Sequence, residues 1–386
     1  MSDAAVTLRV HGAIAEIDSA DWDACAGADN PFLAHTFLEA LEASGCVRPE
    51  TGWAPRHLAL EDDEGNLIAC APAYLKGHSQ GEYVFDHGWA QAYERAGGRY
   101  YPKLQVCVPF TPVPGPRFLV RPGIAPEAGI GGLIAGASEY ARREELSSVH
   151  VTFCTEAEWE CAGKAGLLQR TGEQFHFENR GYGSFEDFLA ELTSRKRKDL
   201  RKERAAAIEN EISIDVLSGS EIEERHWDAM FRFYMDTGGR KWGRPYLNRR
   251  FFSLLGERMA DRVVLVLARR DGRYIAGALN LKGSDTLYGR YWGCIEEHRF
   301  LHFELCYYQA IDYAIAHRLA RVEAGAQGPH KLARGYLPRP TYSVHWVRDA
   351  GFHRAVENFL MQERAQVARE IEYLEEHHSP FRHEQD

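Results

Sequence analysis

Two stretches of this chain repeat one pattern, and that repeat constrains the fold more than any other feature. His57–Gly77, HLALEDDEGNLIACAPAYLKG, and Val264–Gly283, VLVLARRDGRYIAGALNLKG, each read as an apolar strand, a polar turn holding a glycine (Gly65, Gly272), and a second strand ending in Leu-Lys-Gly. Apolar runs separated by a glycine-bearing turn are the signature of a β-hairpin. The Ile-Ala pairs are offset by 207 residues and the Leu-Lys-Gly triplets by 206, so one residue has slipped. A second match, EYARREELSSVHV at Glu139–Val151 with DYAIAHRLARVEA at Asp312–Ala324, keeps an offset of 173. It reads as a helix end, a short connection and a strand. Each half therefore runs hairpin, further strand, helix, strand, and the first half carries roughly thirty extra residues that include the Pro-rich loop Val108–Phe118. Two copies are too few for a solenoid, and two similar α/β domains in tandem are the simplest way to bury both sets of apolar strands.

The length, 386 residues, fits two domains. With 45% hydrophobic and 12% aromatic residues the chain can fill two cores. Its net charge of −10 excludes a broad DNA-binding surface, so any recognition of phosphate is local. The N-terminal residues lack a basic leader and apolar run, and no stretch reaches the ~20 apolar residues of a membrane helix. Eight scattered cysteines without a C-x-x-C suggest reduced thiols in a cytoplasmic protein, with neither a metal site nor a disulfide framework.

Helix signals lie in both halves. Thr36-x-x-Glu39 and Ser218-x-x-Glu221 read as capping boxes, with stops at Gly45 and at Gly238–Gly239. Trp227, Met230, Phe231 and Tyr234 fall at helical spacing and are expected in a core. Phe352, Val356, Phe359, Leu360, Val367, Ile371 and Leu374 trace one face of a long C-terminal helix, expected to pack across the halves or in a homodimer. The tail beyond Ser379 is expected to be disordered, with His377, His378 and His383 solvated.

Three polar clusters stand out. TSRKRKDLRKER, Thr193–Arg204, holds seven Lys/Arg in an acidic chain. Ser184-x-x-Asp187 is expected to start a helix running through it, with Leu189, Leu192, Leu200 and Ala207 as its buried side. Arg197, Arg201 and Arg204 then share a face flanked by Lys198 and Lys202, and Arg195 precedes them. Such a face grips phosphate oxygens; a solvated helix face is the plain alternative. Gly238–Arg250 mixes Arg240, Lys241, Arg244 and Arg249 with Trp242 and Tyr246, a composition suited to stacking plus phosphate contact, or to an ordinary surface loop. Glu323–Trp346 follows the last repeat strand. Gly325, Gly328 and Gly335 permit close approach of a ligand, and Glu323, Gln327, His330, Lys331, Arg334 and Tyr336 supply polar groups. His302-Phe303-Glu304 and the run Gly129–Gly132, expected to open a helix and offer it to an anion, are weaker signals. No G-x-S-x-G, H-E-x-x-H or Walker motif occurs.

SRKRKDLRKE, RKWGRPYLNRRFF, DTLYGRYWG, HFELCYYQAIDYAI, EAGAQGPHKLARGYLP and, in the first half, YYPKLQVCVPFTP together resemble the FemAB-like proteins, bacterial relatives of the FemA/FemB/FemX peptidyltransferases. The resemblance implies an α/β (α+β) fold of two tandem GNAT-like domains, each a mixed sheet flanked by helices, plus a long C-terminal helix. It also implies N-acyl transfer to an amine, with an amino acid taken from aminoacyl-tRNA and added to a peptidoglycan precursor. HKLARGYL places Lys331 where the family has a functional lysine, and the basic run resembles its phosphate- or RNA-facing helix. Two departures are the missing coiled-coil arm and the missing R-x-x-G-x-G/A loop of ordinary acetyl-CoA enzymes, in place of which stands EEHRFLHFEL.

The expected domains are 1–178, 179–348 with the main site, and a C-terminal helix and tail at 349–386. In the acyltransferase reading Lys331 contacts the oxyanion or a phosphate, and Glu304 or Glu323 accepts the amine proton. Arg195, Arg197, Lys198 and Arg201 hold the donor phosphates, and Arg240, Lys241, Trp242, Tyr291, Gln327, His330, Arg334 and Tyr336 bind substrate. Aminoacyl-tRNA or acyl-CoA is the co-substrate, with no tightly bound cofactor and no metal. The rival readings are an acyl-CoA enzyme acting on a small amine and a non-catalytic nucleotide- or RNA-binding protein.

Overall fold

The computed structural model describes residues 6–241, 245–325 and 328–382, with the side chains of Arg240, Lys241 and Pro329 outside that description. Its strands are β1 (Thr7–His11), β2 (Trp53–Pro55), β3 (His57–Glu61), β4 (Leu67–Ala71), β5 (Ala73–Lys76), β6 (Lys103–Val106), β7 (Leu119–Val120), β8 (Ser148–Cys154), β9 (Leu168–Glu178), β10 (Ser213–Ser218), β11 (Val263–Arg270), β12 (Arg273–Lys282), β13 (Thr286–Cys294), β14 (Arg321–Glu323) and β15 (Leu337–Val347). The chain forms two compact units, Met1–Gly172 with Pro340–Arg369, and Glu173–Arg339 with Glu370–Asp386. Each unit is thus completed by a segment from late in the chain.

In the first unit the repeated hairpin spans Trp53–Lys76 and bends at Arg56 and Pro72. β2/β5 then pair in one sheet and β3/β4 in another, while the Arg56 amide still donates to the Ala73 carbonyl at 2.7 Å. One sheet runs β2–β5–β6–β8–β15 and the other β1–β3–β4–β7. β6 and β8 are parallel, Gln105 opposite His150, and the helix Pro126–Arg143 makes the crossover between them. In the second unit the sheet runs β10–β11–β12–β13–β14–β9. Here β13 and β14 are the parallel pair, and the helix Gln309–Ala316 precedes β14. The order read from the repeats is the topology of both units. The β11/β12 turn, Asp271 (φ 50°) and Gly272 (φ 72°), has both residues left-handed, as a two-residue hairpin turn requires.

Alternation sets the first core. Leu104, Val106, Val149, Val151 and Val344 point to one face and pack with Leu133, Ile134 and Ala137 of the crossover helix. The second unit buries Leu287, Val322, Ile311, Ala314, Phe177 and Phe188 together. The C-terminal helix runs Ala350–His378, and its Val356 and Leu360 are buried while Phe359 is not.

Several local expectations differ from the structure. The helix expected from Ser184 through the basic run is two helices, Phe185–Glu191 and Ser194–Ala207. Leu192 between them is extended and bridges to Phe381, and the Thr193 amide donates to the Pro380 carbonyl at 3.0 Å. Residues 380–382 are therefore docked, not disordered; His383 lies outside the described residues. The Ser218–Glu221 box caps a single 3-10 turn, and the long helix starts only at Glu224 and passes through Gly238 and Gly239 to Lys241. The helix at His35 starts after Ala34, ahead of Thr36, because Asp23 accepts the His35 amide. Gly129 and Gly132 lie inside their helix. A Cβ there would meet Val120 and Leu60 at 2.7 Å, so these glycines serve close packing, not an anion. No helix among the described residues is long and apolar enough to cross a membrane.

Candidate active site

The site is built where β13 and β14 part. The two strands stay in register through Tyr288 opposite Glu323, where β14 ends, while β13 runs on to Cys294 paired with β12. The chain leaving β14 therefore departs beside a β13 edge that β14 no longer covers. Ligands of open α/β sheets bind at the carboxyl ends of parallel strands. The backbones crowd here: a Cβ at Gly289 would stand 3.4 Å from both the Glu323 carbonyl and Asn280 Oδ1.

The loop after β14 uses three left-handed glycines, Gly325, Gly328 and Gly335 (φ 79°, 127° and 87°), to turn back on itself. A 3-10 helix, Pro329–Arg334, carries Lys331 inward. Lys331 is 1% exposed, and Nζ donates to the Gly325 carbonyl at 2.8 Å. Burial favours the neutral amine and pushes its pKa down to about 7. Glu323, 5% exposed, faces His176 of β9 across the sheet. Burial, with the charges of Arg321 and Lys331, holds His176 near 3, a neutral ring.

Opposite the loop stands a π-helical turn, Glu304–Tyr308, inserted between the turn Leu301–Phe303 and the helix Gln309–Ala316. Such turns cost backbone geometry and recur at functional sites. This one re-aims two tyrosines. The Tyr307 hydroxyl lies 2.9 Å from His330 Nε2, and Tyr308 donates to Glu203 at 2.5 Å. The Tyr336 hydroxyl donates to the Tyr307 carbonyl at 3.2 Å.

The last turn of the basic helix anchors it here. Glu203 takes Arg334 in a two-pronged ion pair, 2.8 Å at each oxygen, and the Arg334 guanidinium lies 3.4 Å from the Phe303 ring centre. Arg204 donates to Glu304 at 2.8 and 3.2 Å and to Asp312 at 2.7 Å. Arg204 thus belongs to the foundation rather than to a phosphate-gripping face. Glu304, which also accepts from Gln309 at 2.8 Å, is a held carboxylate. Outward, Arg195, Lys198, Arg201 and Lys202 are exposed; Arg201 pairs with Glu186, and Arg197 donates to Ser194 Oγ at 3.4 Å.

The structure therefore gathers Lys331, Glu323, Glu304, His330, Arg334 and Tyr336 around one loop. It sets Arg195, Arg197, Lys198 and Arg201 on the adjoining helix. Tyr291 stands further along β13, edge-on to Tyr234 with ring centres 5.2 Å apart. Arg249 is spent on Glu224 and Asp228 at 2.5 and 2.8 Å. The side chains of Arg240 and Lys241, and Trp242 and Gln327 entirely, lie outside the described residues. Glu203, Asp312, Tyr307, Tyr308 and His176 were not singled out by the sequence; their partners lie too far along the chain for spacing to show.

The fold is a tandem pair of GNAT-like α/β units. A family model described as peptidoglycan biosynthesis/recognition, FemAB-like, matches residues 13–383. The chain belongs to the FemAB-like family, which makes it a FemAB-type transferase. Among solved structures it is similar to FemX, at 12% identity and TM-score 0.56, covering 88% of this chain and 98% of that one. It is also similar to the C-terminal domain of a putative lysylphosphatidylglycerol synthetase from Agrobacterium fabrum, at 10% identity and TM-score 0.53, covering 91% and 97%. A tandem GNAT protein from the clavulanic acid biosynthesis pathway matches at 13% identity and TM-score 0.46, covering 89% and 98%. No curated protein sequence matches.

Proposed function

We propose that this protein transfers an amino acid from aminoacyl-tRNA to an amine of a peptide or peptidoglycan-precursor-like acceptor. The amine attacks the ester carbonyl, a tetrahedral oxyanion forms, and the tRNA hydroxyl leaves with the proton that the amine has lost. The protein contributes position and charge. Lys331 donates to the oxyanion: one N–H is taken by Gly325, and its remaining capacity is available where the strands part. Glu323, at the end of β14 beside the loop that carries Lys331, accepts the amine proton. The exposed Arg195 and Lys198, with Arg197, receive the phosphates of the acceptor stem. The observation that carries this reading is a buried lysine with a carbonyl as its hydrogen-bond partner at the opening of a parallel strand pair, beside an exposed basic helix.

One observation favours a second reading. Beyond Tyr288 the β13 edge no longer pairs with β14, and an extended amide-bearing chain such as the pantetheine arm of an acyl-CoA can pair with such an edge. Binding of charged tRNA, uncharged tRNA and acetyl-CoA to the purified protein separates the two. Charged tRNA bound tightly, with steep salt dependence, supports the first reading. Acetyl-CoA alone bound supports the second, and neither bound removes both.

A further inference from the structure

The first unit has a buried polar face that the proposed reaction does not use. On the side of its sheet away from the apolar core, β5 contributes Lys76, β6 Lys103 and Gln105, β8 Ser148, His150 and Thr152, and β15 Ser343 and His345, all buried. The segment 77–102 covers this face and brings in Ser79, Glu82, Asp86 and Tyr100, also buried. Burying two lysines and two carboxylates costs several kcal/mol per ion unless every group is paired.

Pairing here is unequal. Lys103 spends its three N–H groups on Ser79 Oγ, Glu82 Oε2 and Asp86 Oδ2, at 2.8, 2.7 and 2.5 Å. It has nothing left for the other oxygen of either acid. Glu82 Oε1 and Asp86 Oδ1 are buried without a hydrogen-bond partner, and each residue is 3% exposed. Asp86 stands at the N-cap of the helix His87–Arg95, a position at which aspartate ordinarily accepts a helix amide; it makes no such bond and turns inward instead. Lys76 Nζ donates to the Gln80 carbonyl at 3.3 Å, lies over the Trp53 ring at 3.3 Å, and stays 4.0 Å from Glu82 Oε1.

We propose that the first unit holds a second site, one that takes a primary ammonium group between Glu82 Oε1 and Asp86 Oδ1. Both orphan atoms are carboxylate oxygens, so what each lacks is a hydrogen-bond donor. Trp53, Tyr100 and Tyr101 line the cluster with ring faces that favour ammonium, as Lys76 and Lys103 already show at 3.3 Å, and at 5.6 and 6.0 Å. A divalent metal is disfavoured, because Lys103 holds its charge against both acids. Tyr101 is half-buried and Phe85 exposed on the covering segment.

Charge balance makes the site exchange one cation for another. Lys103 and Lys76 offset Glu82 and Asp86; an entering ammonium replaces the charge of Lys76, whose proton goes to solvent. Burial already holds Lys76 down to about 7 and Glu82 up to about 7, so the proton given up on binding comes from this pair. The other titratable groups facing the cluster do not supply it. Burial holds His150 near 3 and His345 well below its ordinary value, while Cys107 is pushed up to about 12 and Tyr100 and Tyr101 upward. His78, beside Lys76, is held below its ordinary value by burial. Arg117 and Arg170 are the other charged groups that act on the cluster. Binding therefore tightens as pH rises through about 7.

The test is titration of the full-length protein with ethylammonium chloride, against sodium chloride and tetraethylammonium chloride at equal ionic strength. It is read by thermal unfolding and by calorimetry in two buffers of different ionisation enthalpy. The expected result is saturable stabilisation by ethylammonium alone, with protons released on binding at pH 7. Lys76→Met removes the resident competitor and should bind at least about tenfold tighter. Glu82→Gln should lose binding. Folded wild type and folded Lys76→Met that both ignore ethylammonium, or that respond equally to tetraethylammonium, would overturn the site and leave water on the orphan oxygens. Lys76→Met keeps the test decisive if Glu82→Gln does not fold. Binding without any effect of acetyl-CoA or tRNA keeps this result separate from the reaction proposed for the second unit.

Discussion

Each unit buries a lysine beside its parallel strand pair, and the two are held in opposite ways. Lys103 of the first unit has three acceptors, two of them ionised, and these outweigh burial to raise its pKa. Lys331 of the second donates to a carbonyl, and burial wins, bringing it down to about 7. The same contrast runs through the strands. Gln105, His150 and His345 line up across β6, β8 and β15, as Tyr288, Glu323 and His176 do across β13, β14 and β9. In the first unit the row is roofed by segment 77–102; in the second it leads to a glycine-rich loop at a strand end. One topological position carries a covered charge cluster in the first unit and continues into a glycine-rich loop in the second.

The largest effect that tests this contrast is on the closed cluster. Lys103→Ala leaves two buried carboxylates without their shared cation and should destabilise the first unit by about 3–5 kcal/mol. Chemical denaturation would show it as an early transition of that unit. A loss under about 1 kcal/mol would mean that water replaces the lysine and that the cluster is wetter than its burial implies.

Lys331→Ala should lower kcat by about 10²–10³-fold with donor binding retained, the range for removing one oxyanion donor. Its stability should move the other way. Between pH 7 and 10.5 the unfolded chain binds the Lys331 proton and the folded chain does not, so this group makes stability rise with pH through that window, by at most about 1.4 kcal/mol per pH unit. Lys331→Met removes that slope and should be more stable than wild type at pH 7. Parallel stability curves for the two proteins at pH 7 and 9.5 would show that Lys331 is paired in solution as Lys103 is.

What the sequence revealed follows from how local each signal is. The hairpins were legible because the strand alternation and the Asp271–Gly272 turn are encoded within a few residues, and the repeat made each copy a check on the other. Lys331 was visible through the family resemblance and the glycines around it. Its depressed basicity was not, because that depends on burial against the π-turn. Arg204 looked like part of a phosphate face since Glu304 and Asp312, its partners, lie 100 and 108 residues away. Gly238–Gly239 read as a stop, but the helix they sit in buries Trp227, Met230 and Phe233, and packing outweighs the roughly 1 kcal/mol cost of each glycine. Lys103-x-Gln105 had the alternation of a strand with one wet face; the segment that covers that face gave no periodic signal.

Phe381 tests a smaller difference, the way the second unit fastens its basic helix. Its ring lies 6.3 Å from that of Phe188, with Arg180 over it at 4.6 Å, and its backbone bridges to Leu192 just before the helix begins. Phe381→Ala should cost about 1–2 kcal/mol, less than a fully buried phenylalanine, because the ring is only partly buried. If tRNA is the donor, its KM should rise with kcat little changed. A fall in kcat alone would tie the tail to the Lys331 loop instead.

The smallest effects belong to the exposed cations, and they separate the two faces of one helix. Arg195 and Lys198 are exposed, whereas Arg204 is locked between Glu304 and Asp312. A phosphate contact adds about one to the slope of log K against log salt, so Arg195→Ala and Lys198→Ala should each flatten the slope for tRNA by about 1. Arg204→Ala should leave that slope unchanged and lower stability, because it strips a partner from the buried Glu304 carboxylate. Equal slopes in all three variants would show that the basic run is a solvated face, and the polyanion would have to be sought elsewhere on the second unit.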